Sequence, residues 1–241
     1  MDWSPFAVAL FDLDGVITPT ADVHRRAWTE MFNDFLSALG GRRPFTDADY
    51  VDYVDGKPRA DGVRSFLASR DIDLPEGGPD DPPDANTVTA LGARKNDRFN
   101  EILRRDGVTA YPGSVALLDR LADTEVRLAI VSSSRNARPV LEAAGLLDRF
   151  EVIVDGNVGA RAGLAGKPAP DFYAHAASLM ETTAERAVVL EDAISGVAAG
   201  AAGRFGLVIG VDRGAGVQAL TDAGADLVVD DLAELLPDEG S

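Results

Sequence analysis

The chain has 241 residues, of which 46% are hydrophobic, and a formal net charge of −17 at pH 7. This length suits a single α/β domain or a core with a smaller inserted domain, and the acidic charge argues against nucleic acids and anionic membranes as partners. The absence of cysteine excludes disulfides and thiolate metal sites. Because no apolar run approaches the ~20 residues of a membrane span and no signal pattern is present, we expect a soluble, cytoplasmic protein.

Residues 6–11 form the first predicted element, an apolar run that is typical of a short buried strand. Asp12, Asp14 and Gly15 follow it, and the Asp-Gly pair favours a turn, so both carboxylates lie where the strand gives way to a loop. In a parallel sheet this carboxyl edge is where ligands bind. The two aspartates can share a metal ion, or one can attack while the other transfers a proton. In a chain with 40 acidic residues, a chance pair at a turn is the alternative.

The next segment carries helical signals and no strand signal. Apolar side chains at helical spacing predict helices over residues 21–39, around residue 65 and over residues 88–103. This segment interrupts the alternation of strands and helices, so we interpret it as an inserted all-helical cap. The predicted cap domain covers residues 21–105, and the predicted core domain is made of residues 1–20 and 106–241.

From Tyr111 onward, predicted strands and helices alternate regularly. The helices are expected at residues 114–123, 137–144, 170–180 and 194–202, and the strands at 126–131, 151–154, 188–190, 207–211 and 227–229. Such alternation implies right-handed crossovers and a parallel sheet covered by helices on both faces. The predicted fold class is therefore α/β, a doubly wound, Rossmann-like core with the helical cap inserted after its first strand.

Polar side chains follow successive predicted strands, and they should gather at one edge of the sheet. These are Asp12 and Asp14, Ser132 and Ser134, and Glu191 and Asp192, with Lys167 between the strand that precedes Ser132 and the strand that precedes Glu191. Clustered carboxylates without nearby Cys or His suit a hard cation such as Mg²⁺. A hydroxyl, an ammonium group and Mg²⁺ together neutralise a phosphoryl group in transfer. A carboxylate facing them can attack and form an aspartyl phosphate.

These residues resemble the motifs of the haloacid dehalogenase superfamily of phosphotransferases over nearly the whole chain. The first motif is matched by Asp12-Leu13-Asp14-Gly15, the second by Ser132, the third by Lys167 and the fourth by Glu191-Asp192. The resemblance implies that Asp12 is the nucleophile and Asp14 the general acid/base. It implies that Asp12, the backbone carbonyl of Asp14, Glu191 and Asp192 hold Mg²⁺, and that Ser132 and Lys167 bind the transferring phosphate.

The resemblance extends to the β-phosphoglucomutase-like branch of that superfamily. The similar segments are residues 11–28, 56–59, 94–97, 111–113, 134–136 and 167–171. By this resemblance Arg59 and Lys95 bind the distal phosphate and sugar from the cap. Ser134, Arg135 and Asn136 bind phosphate and sugar from the core. His24 couples sugar binding to acid/base action by Asp14.

Three positions depart from that branch. Pro19 stands where an Asp is usual, Ala193 replaces a frequent Ser, and Arg135 replaces a Lys. Proline fixes φ and removes an N–H donor, whereas Arg in place of Lys keeps the charge but changes its geometry. These departures bear on substrate identity rather than on catalysis at Asp12.

The function implied by the resemblance is Mg²⁺-dependent conversion of β-D-glucose 1-phosphate to glucose 6-phosphate, through an aspartyl phosphate and a 1,6-bisphosphate. Glucose 1,6-bisphosphate is then an expected activator, and the expected partner is a small phosphorylated sugar bound by a monomer. One alternative is a phosphatase of the same family that hydrolyses a small sugar phosphate, since one fold hosts many reactions. An alternative from another class is a non-enzymatic phospho-acceptor or metal-binding module, against which the helical cap argues.

Overall fold

Six short strands form the centre of the computed structural model, which describes residues 1–54, 57 and 59–237. The strands are β1 (Val8–Phe11), β2 (Arg127–Val131), β3 (Val152–Val154), β4 (Ala187–Glu191), β5 (Leu207–Val211) and β6 (Leu227–Val229). All neighbouring strands are parallel, in the order β3-β2-β1-β4-β5-β6. Strand order therefore reverses at β1, and the predicted doubly wound α/β architecture is confirmed.

Ten α-helices accompany the sheet within the described part of the chain. They are α1 (Thr20–Ala38), α2 (Asp47–Tyr53), α3 (Arg59–Ser69), α4 (Val88–Asp106), α5 (Pro112–Ala122), α6 (Ala137–Ala143), α7 (Gly156–Ala162), α8 (Asp171–Leu179), α9 (Ile194–Ala202) and α10 (Val217–Asp222). Short 3₁₀ turns lie at Leu147–Arg149, Ala184–Arg186 and Leu232–Leu235. None of the helices described is both long and apolar enough to cross a bilayer.

The chain divides into two compact units. One, the core unit, contains Met1–Thr20 and Val108–Ser241, and the other, the helical unit, contains Ala21–Gly107. The predicted cap boundary at residue 105 lies two residues before this division, because α4 continues to Asp106 and ends at Gly107, whose φ is +68°. Of the segment 56–59 singled out in the sequence, Gly56 and Pro58 lie outside the described residues.

Strand β1 is central to the core unit because all four of its side chains are apolar and fully buried. Phe11 lies opposite Ile130 of β2 and Leu190 of β4, so these three parallel strands end at the same level. The residues that follow them therefore lie side by side at the carboxyl edge of the sheet, where ligands bind in doubly wound folds.

The helical unit has its own hydrophobic core, built largely from aromatic side chains. Phe32 packs between Trp28, Phe45 and Phe66, with ring centroids 4.2 to 5.3 Å apart. Such contacts add to the hydrophobic free energy of burial. Trp28 therefore serves the packing of this unit.

Four features differ from the pattern read in the sequence. Strand β1 begins at Val8 and not at Phe6, because the Phe6 N–H turns back to donate to the carbonyl of Trp3. Helix α2 was not located individually within the segment predicted to be helical, and helices α7 and α10 were not predicted. Two of the seven residues of α7 are glycine, which weakens a helical signal, and the helix is nucleated by the Asp155 carboxylate, which accepts from two backbone N–H groups.

Candidate active site

Asp12 is the first residue after β1, and its position is fixed by the sheet. Its N–H donates to the carbonyl of Leu190 in β4, at 2.9 Å, so the parallel ladder continues one residue beyond the strand. The residue is only 6% exposed. Its carboxylate Oδ1 accepts a hydrogen bond from the Lys167 ammonium at 2.5 Å. A buried carboxylate of this kind requires a charged partner.

Lys167 connects the ends of three strands through one nitrogen atom. Its Nζ lies 2.5 Å from Asp12 Oδ1, 2.6 Å from Glu191 Oε2 and 3.4 Å from the carbonyl oxygen of Val131. Although desolvation favours the neutral amine, the charges of Asp12 and Glu191 outweigh it and raise the Lys167 pKa well above its ordinary value. The ammonium is therefore charged at neutral pH.

Glu191 ends β4 and is 1% exposed. Its Oε2 accepts from Lys167 and, at 2.5 Å, from the hydroxyl of Tyr173, while Oε1 accepts from the Ala193 N–H at 3.2 Å. Both oxygens are thus oriented by the protein. The carboxylate also lies against Gly196 of α9, where a Cβ would come within 1.9 Å of Oε2. Glycine at this position leaves the space that the carboxylate fills.

The carboxylates of Asp12, Glu191 and Asp192 form a cluster that fits a hard divalent cation. One oxygen of each lies within 4.8 Å of the others. Burial and then repulsion from Glu191 raise the pKa values of Asp12 and Asp192, whereas the Lys167 ammonium lowers both. Three carboxylates this close together, whose negative charges repel one another, are an arrangement that a bound cation stabilises. An all-oxygen donor set is also the set that Mg²⁺ prefers.

Asp14 lies in the tight turn after Asp12. Its carboxylate oxygen Oδ1 accepts a hydrogen bond from the hydroxyl of Thr20, and its side chain is not part of the three-carboxylate cluster. Gly15, which follows, has a φ of +88°. A Cβ at Gly15 would lie 1.9 Å from Asp192 Oδ2, so both the backbone angle and the close approach require glycine here.

The loop between β2 and α6 carries the second group of predicted residues. Ser132 and Asn136 are buried, Ser134 is half-buried and Arg135 is exposed. Hydroxyl groups organise the backbone, since Ser132 Oγ accepts from the Ser134 N–H at 3.1 Å and Ser134 Oγ accepts from the Asn136 N–H at 3.2 Å. The first turn of α7 supports the loop, because Asn157 Nδ2 donates to the Arg135 carbonyl at 2.9 Å.

The predicted cap residues His24, Arg59 and Lys95 come together inside the helical unit. Lys95 Nζ lies 2.5 Å from His24 Nδ1, and the His24 ring stacks on Phe99 with centroids 4.3 Å apart. Arg59 donates to Asn96 Oδ1 at 2.9 Å. Burial, then the charges of Lys95 and Arg59, lower the His24 pKa well below its usual value. The imidazole is therefore neutral and faces two cations, of which Lys95 is only 2% exposed.

Two residues that donate hydrogen bonds to carboxylates of the candidate site were not identified from the sequence. The fully buried Tyr173 donates to Glu191, and Lys167 Nζ lies 5.0 Å from the centre of its ring. Thr20 donates to Asp14. Tyr173 lies six residues after Lys167, on the first turn of α8. In the sequence, an aromatic residue at such a position indicates only packing in the hydrophobic core. Thr20 begins α1, and threonine at the start of a helix indicates only a capping role in the sequence.

Comparisons with known proteins agree on the family. A family model described as haloacid dehalogenase-like hydrolase matches residues 6–204. The β-phosphoglucomutase of Mycobacterium bovis is 51% identical over 237 residues, which cover 94% of this chain and 90% of the relative. The β-phosphoglucomutase of Bacillus subtilis is 31% identical over 228 residues, with 94% and 90% covered.

Solved structures share the fold over almost the full length. A β-phosphoglucomutase structure from Clostridium difficile has a TM-score of 0.75 at 24% identity, and covers 96% of this chain and 93% of its own. CbbY from Rhodobacter sphaeroides, solved with phosphate, has a TM-score of 0.73 at 25% identity, with 95% and 96% covered. The chain is therefore an enzyme that belongs to the haloacid dehalogenase-like hydrolase family, in its β-phosphoglucomutase-like branch.

Proposed function

We propose that this enzyme transfers a phosphoryl group between the 1- and 6-positions of glucose and so converts β-D-glucose 1-phosphate to glucose 6-phosphate. The observation that carries the proposal is the position of Lys167 Nζ, within 2.6 Å of both Asp12 and Glu191. The ammonium neutralises the nucleophile's carboxylate and can donate to a phosphoryl oxygen bound beside it. The 51% identity to a β-phosphoglucomutase supports the choice of substrate.

In the proposed reaction Asp12 carries the phosphoryl group. Phospho-Asp12 gives it to the 6-hydroxyl of β-glucose 1-phosphate, and Asp14 takes the hydroxyl proton. The resulting bisphosphate reorients in the site, so that its 1-phosphate faces Asp12. Asp12 then attacks that phosphorus, and the ester P–O bond to the 1-position breaks. Asp14 then returns its proton to the departing oxygen. Glucose 6-phosphate leaves, and Asp12 is phosphorylated again.

Other residues of the core unit bind and orient in this proposal. Ser132 and Lys167 hold the oxygens of the transferring phosphoryl group, and Ser134, Arg135 and Asn136 bind phosphate and sugar. Asp12, Glu191, Asp192 and the Asp14 carbonyl would hold Mg²⁺, which supplies positive charge to the phosphoryl oxygens when bound. The bisphosphate would act as an activator because it phosphorylates Asp12.

We further propose that Arg59 and Lys95 bind the distal phosphate and that His24 contacts the sugar. A buried lysine beside a neutral histidine is a desolvated cation that favours an anionic ligand. A relative from the same branch, CbbY, was solved with xylulose-(1,5)bisphosphate, a sugar that also carries two phosphates. A second phosphate-binding group is what a mutase requires and a simple phosphatase does not.

The test is a coupled assay with Mg²⁺, β-glucose 1-phosphate and a trace of the 1,6-bisphosphate, in which glucose 6-phosphate and free phosphate are followed in parallel. Fast formation of glucose 6-phosphate with little free phosphate is expected. Release of phosphate without isomerisation would identify a phosphatase. A single modification without turnover would identify a phospho-acceptor module.

Lys95→Met tests the distal-phosphate role. The variant should lose mutase activity by about 10²-fold, because positioning of the substrate carries this much of the rate, while its hydrolysis of a generic aryl phosphate stays near wild type. The matched control is Lys57→Met in the same unit, since Lys57 is exposed and, among the described residues, its ammonium donates to Ser65 Oγ at 2.8 Å. Equal losses in both assays would remove Lys95 from this role.

A further inference from the structure

The turn that follows Asp14 is held from outside by three hydrogen bonds to successive carbonyls. The carbonyl of Val16 accepts from the Ser114 hydroxyl at 2.6 Å, and the carbonyl of Ile17 accepts from the Tyr111 N–H at 2.9 Å. The first of the three carbonyls, that of Gly15, accepts from a side chain far away in the sequence. The donor is Arg213 Nε, at 2.9 Å.

Arg213 is itself held on several sides. Its Nη1 donates to the Asp230 carbonyl at 2.9 Å, and its Nη2 lies 3.8 Å from Asp231 Oδ2. The guanidinium stacks on Tyr111, with 3.9 Å between Cζ and the ring centre. The side chain is 21% exposed. Hydrogen bonds from Nε and Nη1 and the contact with the ring pre-organise the planar guanidinium, so it can fix the carbonyl oxygen that it touches.

Gly15 is the residue at which such external support matters. With no Cβ it has more backbone freedom than any other residue type, and it adopts a φ of +88°. Rotation about its backbone bonds would move the peptide that joins it to Asp14. That peptide contains the Asp14 carbonyl, and the Asp14 carboxylate is attached to the same residue. The hydrogen bond to Arg213 restrains this rotation from the side opposite Asp14.

We propose that Arg213 is a positioning residue for the reaction, which fixes the Gly15 peptide and thereby the carbonyl and carboxylate of Asp14. The proposal rests on the proposed function in so far as it takes Asp14 to be the acid/base and a metal ligand through its carbonyl. Within the described residues, the Arg213 side chain contacts Gly15, Tyr111, Asp230 and Asp231 and none of the three clustered carboxylates. Its effect on catalysis is therefore transmitted through the backbone.

The experiment compares Arg213→Met and Arg213→Lys with Arg127→Met. Arg127 is a matched control because it also donates to a backbone carbonyl of the core unit, that of Met180, but begins β2 at the opposite end from Ser132. The first measurement is hydrogen–deuterium exchange of the peptide covering residues 12–18 in metal-free protein. The second is Mg²⁺ affinity by calorimetry, and the third is the split between kcat and KM for β-glucose 1-phosphate.

In Arg213→Met we expect faster exchange over residues 12–18 and a Mg²⁺ dissociation constant raised about 10-fold to 100-fold, the usual range for residues that support metal ligands. We expect kcat to fall while KM is kept. Arg213→Lys retains the positive charge but lacks the planar guanidinium. Its melting temperature should therefore be close to that of wild type, while its Mg²⁺ affinity should stay as weak as that of Arg213→Met. Arg127→Met should lower the melting temperature alone.

Wild-type exchange and Mg²⁺ affinity in both Arg213 variants would overturn the proposal. So would equal changes in Arg127→Met, which would reveal a general loss of stability. Exchange and Mg²⁺ affinity are measured without substrate, so they judge Arg213 separately from the mutase assay. A wild-type enzyme that fails to isomerise the sugar phosphate would overturn the proposed function and leave the role of Arg213 to these two measurements.

Discussion

At the scale of single residues, the Asp12 carboxylate is the group whose removal should stop the reaction. Asp12→Asn replaces the proposed nucleophile with an amide of the same shape, so turnover should fall by more than about 10³-fold. The fold should survive, because the substitution also removes a charge that burial and Glu191 disfavour. The measurement is the coupled assay, with a thermal melt as the control for folding. Activity near wild type would exclude covalent catalysis at Asp12.

His24 gives a residue-scale prediction about pH. Its pKa in the folded protein lies well below the ordinary value of 6.5 because of burial and the charges of Lys95 and Arg59. The unfolded chain therefore binds a proton that the folded chain does not, so stability is complete above about pH 6.5 and falls as pH decreases below it. The melting temperature of wild type should fall more between pH 7.5 and pH 5.5, chosen as roughly one unit either side of that value, than that of His24→Gln. Parallel pH profiles would contradict a neutral His24.

At the scale of elements, α9 carries a glycine that its helical position does not favour. Alanine at position 196 would gain about 1 kcal/mol of helix propensity, but its Cβ would lie 1.9 Å from Glu191 Oε2 and 2.5 Å from Glu191 Cγ. Gly196→Ala should therefore lower both stability and Mg²⁺ affinity. Ala198→Gly on the same helix is the control, since it should cost helix propensity and leave Mg²⁺ affinity unchanged. A stabilised Gly196→Ala with normal Mg²⁺ affinity would contradict the packing.

Elements were predictable where local sequence determines them. Each of β1, β2 and β4 is an apolar run that ends in a polar residue, so the runs themselves located Asp12, Ser132 and Glu191 at one edge of the sheet. Helix α7 was missed because its two glycines mask the helical period, although Asp155 caps its N-terminus.

The unpredicted part of the site depends on contacts between distant positions. Tyr173 reaches Glu191, and Arg213 reaches Gly15, only after the crossovers are formed. Neither residue lies in a motif or carries a periodic signal that would distinguish it from core or surface. The resemblance assigned the groups that react or bind, whereas the structure was needed to identify the groups that hold them.

At the scale of the whole molecule, Mg²⁺ should stabilise the folded protein as well as activate it. The cluster of Asp12, Glu191 and Asp192 exists only in the folded chain, so a cation at 100 times its dissociation constant should add about 2.7 kcal/mol to the free energy of unfolding. EDTA should abolish turnover and lower the melting temperature, and Mg²⁺ should restore both. In Asp192→Asn the shift of melting temperature should shrink. Turnover that persists in EDTA would contradict the acidic site.

The position of β1 in the sheet has a consequence for how the protein is made. The ribosome adds β1 first, but β1 pairs with β2 and β4, and β4 is complete only when residue 191 has been added. The helical unit is contiguous in the sequence and has its own core, so we expect it to fold while β1 still lacks its partners. Asp12, the proposed nucleophile, is thus translated before both strands that flank β1, and its site is assembled late. A nascent chain released before residue 191 would contain the helical unit without the carboxylate cluster.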